Sequence, residues 1–294
     1  VTRVLSGEPI ASTWRESVAD RVRAVSDRGV VPTLGTILAS DAPAQHRFVD
    51  LKHEACADLG IETRDRRLDP DAPQAALADA VAALSDDPEV DGVFLQTPLP
   101  AHVSLDAVRE RFDPAKDVDC FHPENLGRLV RGHPRFVPAT TAAVTRLFAH
   151  YDVQTAGQDV AIVGRSAAIG RPLANRLLWD DEPGNATVTV CHTHTTDLGA
   201  TLRRAHVVVT ACGVPELIDG SMLQEGAVVV DVSANRRDAD GERSVVGDVD
   251  FESAKGPASA ITPVPGGVGP VTIAALLQNV VLAAERRRDD GDRG

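Results

Sequence analysis

Along most of its length the sequence alternates between two patterns, and that alternation restricts the fold more than any other feature. Short apolar runs of strand length, TLGTILA (33–39), GVFLQ (92–96), DVAIVG (159–164), ATVTVC (186–191), HVVVTAC (206–212) and AVVVDVS (227–233), are separated by stretches whose apolar residues recur three to four apart. Trp14, Val18, Val22 and Val25 form one such row, and Phe48, Leu51, Ala55 and Leu59 another. Further helices are expected over 73–84, 140–151 and 168–179, and a last one over 270–288 with Pro270 at its entry. Strands alternating with helices imply right-handed crossovers and parallel sheets, the α/β class. Parallel strands are buried on both faces and want branched aliphatic side chains, and only 3% of the residues are Phe, Trp or Tyr. With 294 residues the chain exceeds what one core usually fills, so two domains are expected, with a boundary near 135–155.

The net charge of −13 disfavours nucleic acid and anionic membrane as partners, since both need a basic face. Lysine is scarce: Lys52, Lys116 and Lys255 are the only three, a composition that suits a salt-adapted or GC-rich source. Cys56, Cys120, Cys191 and Cys212 lie far apart, with no C-x-x-C pair to signal a disulfide framework or a zinc site. The opening VTRVLSGEPIAS has no signal-peptide core, and no apolar run is expected to reach the roughly 20 residues of a membrane span. A cytoplasmic protein is the expectation.

Several segments could carry chemistry. VGRSAAIGRP (163–172) leaves a strand and opens a helix; Gly164 and Gly170 allow a tight turn, and helix N–H groups there favour a phosphate. The spacing is not G-x-G-x-x-G, so the segment is either a dinucleotide loop or only a tight strand–helix turn. CHTHT (191–195) ends the next strand, where NAD enzymes place an acidic residue against the ribose. Here Thr193 and His194 occupy that region, and with Arg165 they suit a 2′-phosphate and hence NADP. His192 and His194 could ligate a metal, but no third ligand is evident. In the first half, Phe48 and Lys52 share a helix face, with Gln45 one turn earlier. Lys52 either snorkels to solvent or is desolvated, with a lowered pKa fit for acid–base work. Gln96 ends a strand where α/β clefts open; Asp117 and Asp119 lie in an irregular stretch; PVPGGVGPVT (263–272) packs Pro and Gly before a helix, as a backbone approached closely by something would.

Taken together and in order, FVDLKHEACADLGI (48–61), FLQTPLP (94–100), DPAKDVDCFHPENLGRL (113–129), VGRSAAIGRP (163–172), GDVDF (247–251) and TPVPGGVGPVT (262–272) resemble the bifunctional methylenetetrahydrofolate dehydrogenase/cyclohydrolase family, across essentially the whole chain. The resemblance implies an N-terminal α/β catalytic, folate-binding domain (1–140) and a C-terminal Rossmann-like dinucleotide-binding domain (141–270). A final helix (271–288) returns to the first domain, with a folate cleft between the two. It implies NADP as hydride acceptor, a folate one-carbon derivative as substrate, and a homodimer formed through the cofactor domains. Lys52 matches the family lysine of the hydrolytic step, Gln96 the glutamine that holds it, and Asp119 the carboxylate that bonds the pterin. Phe48, Gln45, Pro98, Leu99, Pro265, Gly266 and Gly267 fall on the folate side; Gly164, Arg165, Ser166, Ile169, Gly170, His192, Thr193, Ser233 and Ala234 on the cofactor side.

Most of the departures from that pattern cluster at the expected folate and nicotinamide surfaces. Phe48 stands for the usual Tyr, Gln45 for Ser, Cys120 for the Gly after K-D-V-D, and Ser233 for a Gly; the usual P-C-T-P-x-G reads PATTAA, with Ala139, Thr141 and Ala143, and Val271 replaces Met. The resemblance therefore leaves three outcomes: a bifunctional enzyme with a retuned site; a paralogue keeping one activity or using another pterin carrier, such as a methanopterin-like one; or a catalytically quiet homologue that binds folate or NADP. Intact Lys52, Gln96 and Asp119 argue against the last.

Overall fold

A computed structural model describes residues 2–239 and 242–291, which separate into two compact units. The first holds Trp14–Ala139 together with residues 273–291. Its sheet has three parallel strands, β2 (Thr33–Ala39), β3 (Glu62–Leu68) and β4 (Gly92–Leu95), in the order β3-β2-β4. Every residue of the central β2 is buried, as its unbroken apolar run requires. Around the sheet lie α1 (Glu8–Ser26, entering from the other unit), α2 (Pro43–Leu59), α3 (Gln74–Asp86), α4 (Leu105–Arg109) and α5 (Pro123–Val130). Pro43 opens α2, where its missing N–H costs nothing, and Gly60 closes it with φ 76°, its N–H reaching back to Ala57 and Cys56. The strand β3, ETRDRRL, lacks an apolar run and went unpredicted; it is an edge strand whose charges guard an open ladder.

The second unit holds residues 2–13 and Thr140–Thr272. Its sheet is six-stranded and parallel, in the order β1-β11-β8-β7-β5-β6: β1 (Arg3–Val4), β5 (Asp159–Val163), β6 (Thr187–Cys191), β7 (Val207–Thr210), β8 (Val228–Asp231) and β11 (Ala260–Ile261). Residues 2–13 fold here because β1 pairs with β11, Arg3 opposite Ala260. The chain passes from β5 to β6 on one side and returns to β7 on the other. The carboxyl ends of β5 and β7 are thus a topological switch point, where doubly wound sheets open a crevice. Helices α6 (Ala139–His150), α7 (Gly170–Leu177), α8 (Leu198–Leu202) and α9 (Phe251–Ala254) complete the unit, with an antiparallel hairpin of β9 (Asn235–Ala239) and β10 (Glu242–Val246).

The last helix, α10 (Val268–Gly291), begins among the residues of the second unit and continues into the first. Over Val268–Arg287 it is long and apolar enough to cross a membrane by length and composition, mean hydropathy 1.5, which corrects the expectation that no run reaches that length. Most of that stretch is buried inside the protein; Ala274, Leu276, Leu277, Val280, Val281 and Ala284 have no exposure, as in a core helix. Of the charged stretch RRRDDGDRG (286–294) that ends the sequence, residues 292–294 lie outside the described residues.

Candidate active site

The inward stripe of α2 is Val49, Lys52, Ala55 and Cys56, so a charged residue occupies a core position. Lys52 is 8% exposed and does not snorkel. Its Nζ donates to Gln96 Oε1 at 3.2 Å and to the Phe48 carbonyl one turn back at 3.1 Å, and stands 4.8 Å over the Phe94 ring. Gln96 reaches it because β4 ends one residue earlier; its N–H bonds Ile37 O and its side-chain Nε2 donates to Thr97 O at 2.8 Å. With the amide nitrogen so engaged, the carbonyl oxygen is the atom that faces the ammonium. Burial lowers the Lys52 pKa to about 8, against the pull of Asp119 and Cys56 in the other direction. The Cys56 thiol is pushed up to about 12 by burial and is inert.

Asp119 lies in the irregular stretch between α4 and α5, partly buried, and accepts the Ala139 N–H at 2.7 Å. Burial lifts its carboxyl to about 7, with nearby Asp117 adding to the rise and Lys52 opposing it. A lysine drawn down toward neutrality and a carboxyl drawn up toward it are the pairing expected of groups that trade protons. Asp117 does another job. It is fully buried and accepts from Phe121 N, His122 N and Asn125 Nδ2, shaping the loop that carries Asp119. Asn279 of α10 fixes the same loop, donating to Val118 O and Val137 O; nothing in its sequence setting marked it. Phe48, 38% exposed, lies one turn before Lys52 on α2, and Gln45 Nε2 donates to Pro98 O at 3.3 Å, joining α2 to the turn of Pro98 and Leu99.

In the second unit the loop from β5 to α7 is folded tightly on itself. At Gly164, φ 128°, a Cβ would come 2.3 Å from Ala211 O; at Gly170 it would come 2.1 Å from Gly164 O. Ser166 Oγ accepts from Ile169 N at 3.1 Å, while Arg165 and Ser166 are exposed at the switch point. Beyond β6, His192 N is held by Thr195 Oγ1 and His194 N by His192 Nδ1, leaving Thr193 and His194 exposed. The next carboxylate, Asp197, is committed to capping α8 through Ala200 N.

The loops after β7 and β8 are joined by a buried carboxylate that the sequence reading missed. Asp248 accepts from Cys212 N, Gly213 N, Val214 N, Ser233 Oγ and Asn235 Nδ2. Its signal was the GDVDF segment, where a charge sits among apolar residues. Asp231 accepts Ser233 N and Val249 N, and burial beside Asp248 lifts its carboxyl to about 7. Ala234 follows Ser233 in this loop, ahead of β9. Pro265, Gly266 and Gly267 belong to this unit, where Gly7 N bonds Gly266 O and a Cβ on Gly7 would fall 1.8 Å from Gly267 O.

Residues 5–119 match the catalytic domain of tetrahydrofolate dehydrogenase/cyclohydrolase, and residues 138–288 its NAD(P)-binding domain. The chain belongs to this family. It is 50% identical over 291 residues to the bifunctional protein FolD of Natronomonas pharaonis, covering 98% of each. Among solved structures it is similar to the bifunctional FolD of Campylobacter jejuni (TM-score 0.89, 38% identity, 98% of this chain and 100% of that one). It is also similar to the Trypanosoma brucei dehydrogenase-cyclohydrolase complexed with NADP cofactor and inhibitor (TM-score 0.90, 33% identity, 97% and 98% covered).

The family departures find local explanations. Cys120 has φ 59°, a left-handed conformation natural to the glycine usual there, and its thiol is engaged by Phe136 O at 2.8 Å. Ala139 contributes only its backbone N–H to Asp119, so the side chain there is free to differ. Ser233 turns its hydroxyl inward to Asp248 Oδ2 at 2.7 Å and accepts from Gly213 N at 3.3 Å. Val271 is fully buried.

Proposed function

We propose that this chain oxidises 5,10-methylenetetrahydrofolate to the 5,10-methenyl form with NADP and hydrolyses that form to 10-formyltetrahydrofolate. The observation that carries the reading is Lys52, a buried lysine held by Gln96 in a member of a family of this activity.

The second unit's residues fit a dinucleotide. The Gly164–Gly170 fold admits no side chain at either glycine, α7 offers its N-terminus at the switch point, and exposed Arg165 and Ser166 stand there, while Asp197, the next carboxylate in sequence after Thr193, is engaged in capping α8. A guanidinium and hydroxyls without a competing acid suit the 2′-phosphate of NADP. NADP supplies the hydride acceptor when bound. In the hydrolytic step Lys52, as the free amine, takes a proton from the water whose oxygen bonds to the methenyl carbon. It returns that proton to N5 as the carbon–N5 bond breaks; the hydroxyl proton leaves to solvent, and the formyl group stays on N10. Gln96 keeps the amine oriented through both transfers. Asp119, poised near neutrality, bonds the pterin ring, and Phe48 supplies a stacking face.

The protein acts as a cytoplasmic homodimer through its cofactor-binding unit in this reading. In support, a two-stranded hairpin is marginal alone, and β9–β10 leaves Val245 exposed, as are Val214 and Leu217 of the same unit. Sedimentation should give twice the 31.1 kDa chain mass. For activity, the test is absorbance of purified protein with methylenetetrahydrofolate and NADP, at low and high salt, then methenyltetrahydrofolate alone. Appearance of reduced cofactor with accelerated methenyl decay supports both activities; neither signal in either salt removes the proposal.

A further inference from the structure

Phe94 carries no polar atom and was given no role beside Gln96 in its segment, yet it faces the charge at the centre of the site. It lies in β4 two residues before Gln96, and both side chains meet the Lys52 ammonium. An ammonium has three N–H groups. Gln96 Oε1 and the Phe48 carbonyl take two, and Nζ stands 4.8 Å over the Phe94 ring centroid. Lysine and ring are each 8% exposed, so little water stands between them and bulk. The other ionisable groups near Lys52 are Asp119 from its loop, and Cys56 and His53 from α2. A buried aromatic ring can act on a lysine in two opposite ways. As an apolar wall it disfavours the charged form. Presenting its negative face, it favours that form, because the ring quadrupole attracts a cation and has no such hold on a neutral amine.

The geometry points to the second. We propose that Phe94 is a positioning residue that acts through Lys52, its ring face holding the ammonium form in the resting site. The consequence for catalysis rests on the reading of Lys52 as the proton-handling group: the lysine keeps its proton until a substrate that itself bears positive charge discharges it.

The three lysines of the chain make a direct test possible. Protein labelled with [6-13C]lysine gives three side-chain signals, and Lys52→Met identifies the one to follow through a pH titration without substrate. Position 94 is then replaced by a series of increasingly fluorinated phenylalanines, which keep the ring's shape while draining its face of negative potential, and by Phe94→Leu. The Lys52 midpoint is expected to fall stepwise with fluorination, by about one pH unit at the end of the series. An unmoved midpoint across the series overturns the proposal, as does a rise. Phe94→Leu alone is expected to lower the midpoint; a rise there shows the ring to be only a wall. The acid limb of the methenyl-hydrolysis profile is followed in the same proteins. A titration that shifts while the limb stays put upholds Phe94 and sinks the catalytic role of Lys52, so the two failures are distinguishable.

Discussion

At the scale of single residues, Lys52 sets both a rate and a cost. Its pKa of about 8 lies below the 10.5 it has when unfolded, so burying the ammonium opposes folding below pH 8, and the penalty fades between pH 8 and 10.5 as the unfolded chain too loses its proton. Lys52→Met is therefore expected to abolish methenyl hydrolysis above background, keep NADP binding, and raise folding stability at pH 7 by on the order of 2 kcal/mol, read by urea unfolding. Retained hydrolysis would remove the lysine from the mechanism. In the wild type, kcat/KM for hydrolysis should climb as pH rises to about 8 and then level, since the free amine is the working form. Arg165→Ala should cut the preference for NADP over NAD by about tenfold or more, measured as the ratio of kcat/KM; equal losses with both cofactors would mean that Arg165 does not read the 2′-phosphate. Much of this was legible beforehand, because a lysine at helical spacing within an apolar row is a visible anomaly. Phe94 and Asn279 were not, since an apolar residue in a strand and an amide in a helix look like ordinary filling until the fold shows what they touch.

Elements differed in legibility for a physical reason. The runs at β2, β4, β5, β7 and β8 announce themselves because strands covered on both faces must be apolar. The β3 edge and the β9–β10 hairpin are written in charged residues and form through pairing that no local pattern records. β1 and β11, two residues each, are too short to show a period. The loops after β7 and β8 rest on one group: Asp248→Ala would strand two backbone N–H groups, those of Cys212 and Val214, and leave Gly213 N only its bond to Ser233 Oγ. Such a loss should cost roughly 3 kcal/mol or more in urea unfolding and weaken NADP binding. A loss below about 1 kcal/mol would show that water replaces the carboxylate.

For the whole molecule, 43 acidic residues face 30 basic ones, and the surplus repels itself in the compact state. Raising salt from roughly 0.1 M to 1 M, which contracts the Debye length from about 10 Å to about 3 Å, should raise Tm by several degrees; a fall would mean that surface ion pairs outweigh the net repulsion. Length and alternation made two domains readable. That the units are interleaved along the chain was beyond local reading, because periodicity says nothing of which distant strand a short one joins. Residues 2–13 wait for β11, and the first unit takes its last helical turns from residues 273–291. A ribosome releases this chain from its first residue onward, and domains generally fold as they emerge. Here residues 2–13 are made long before the strand they join, so the second unit closes only once residues up to 272 have left the exit tunnel, and the first only once 273–291 have followed.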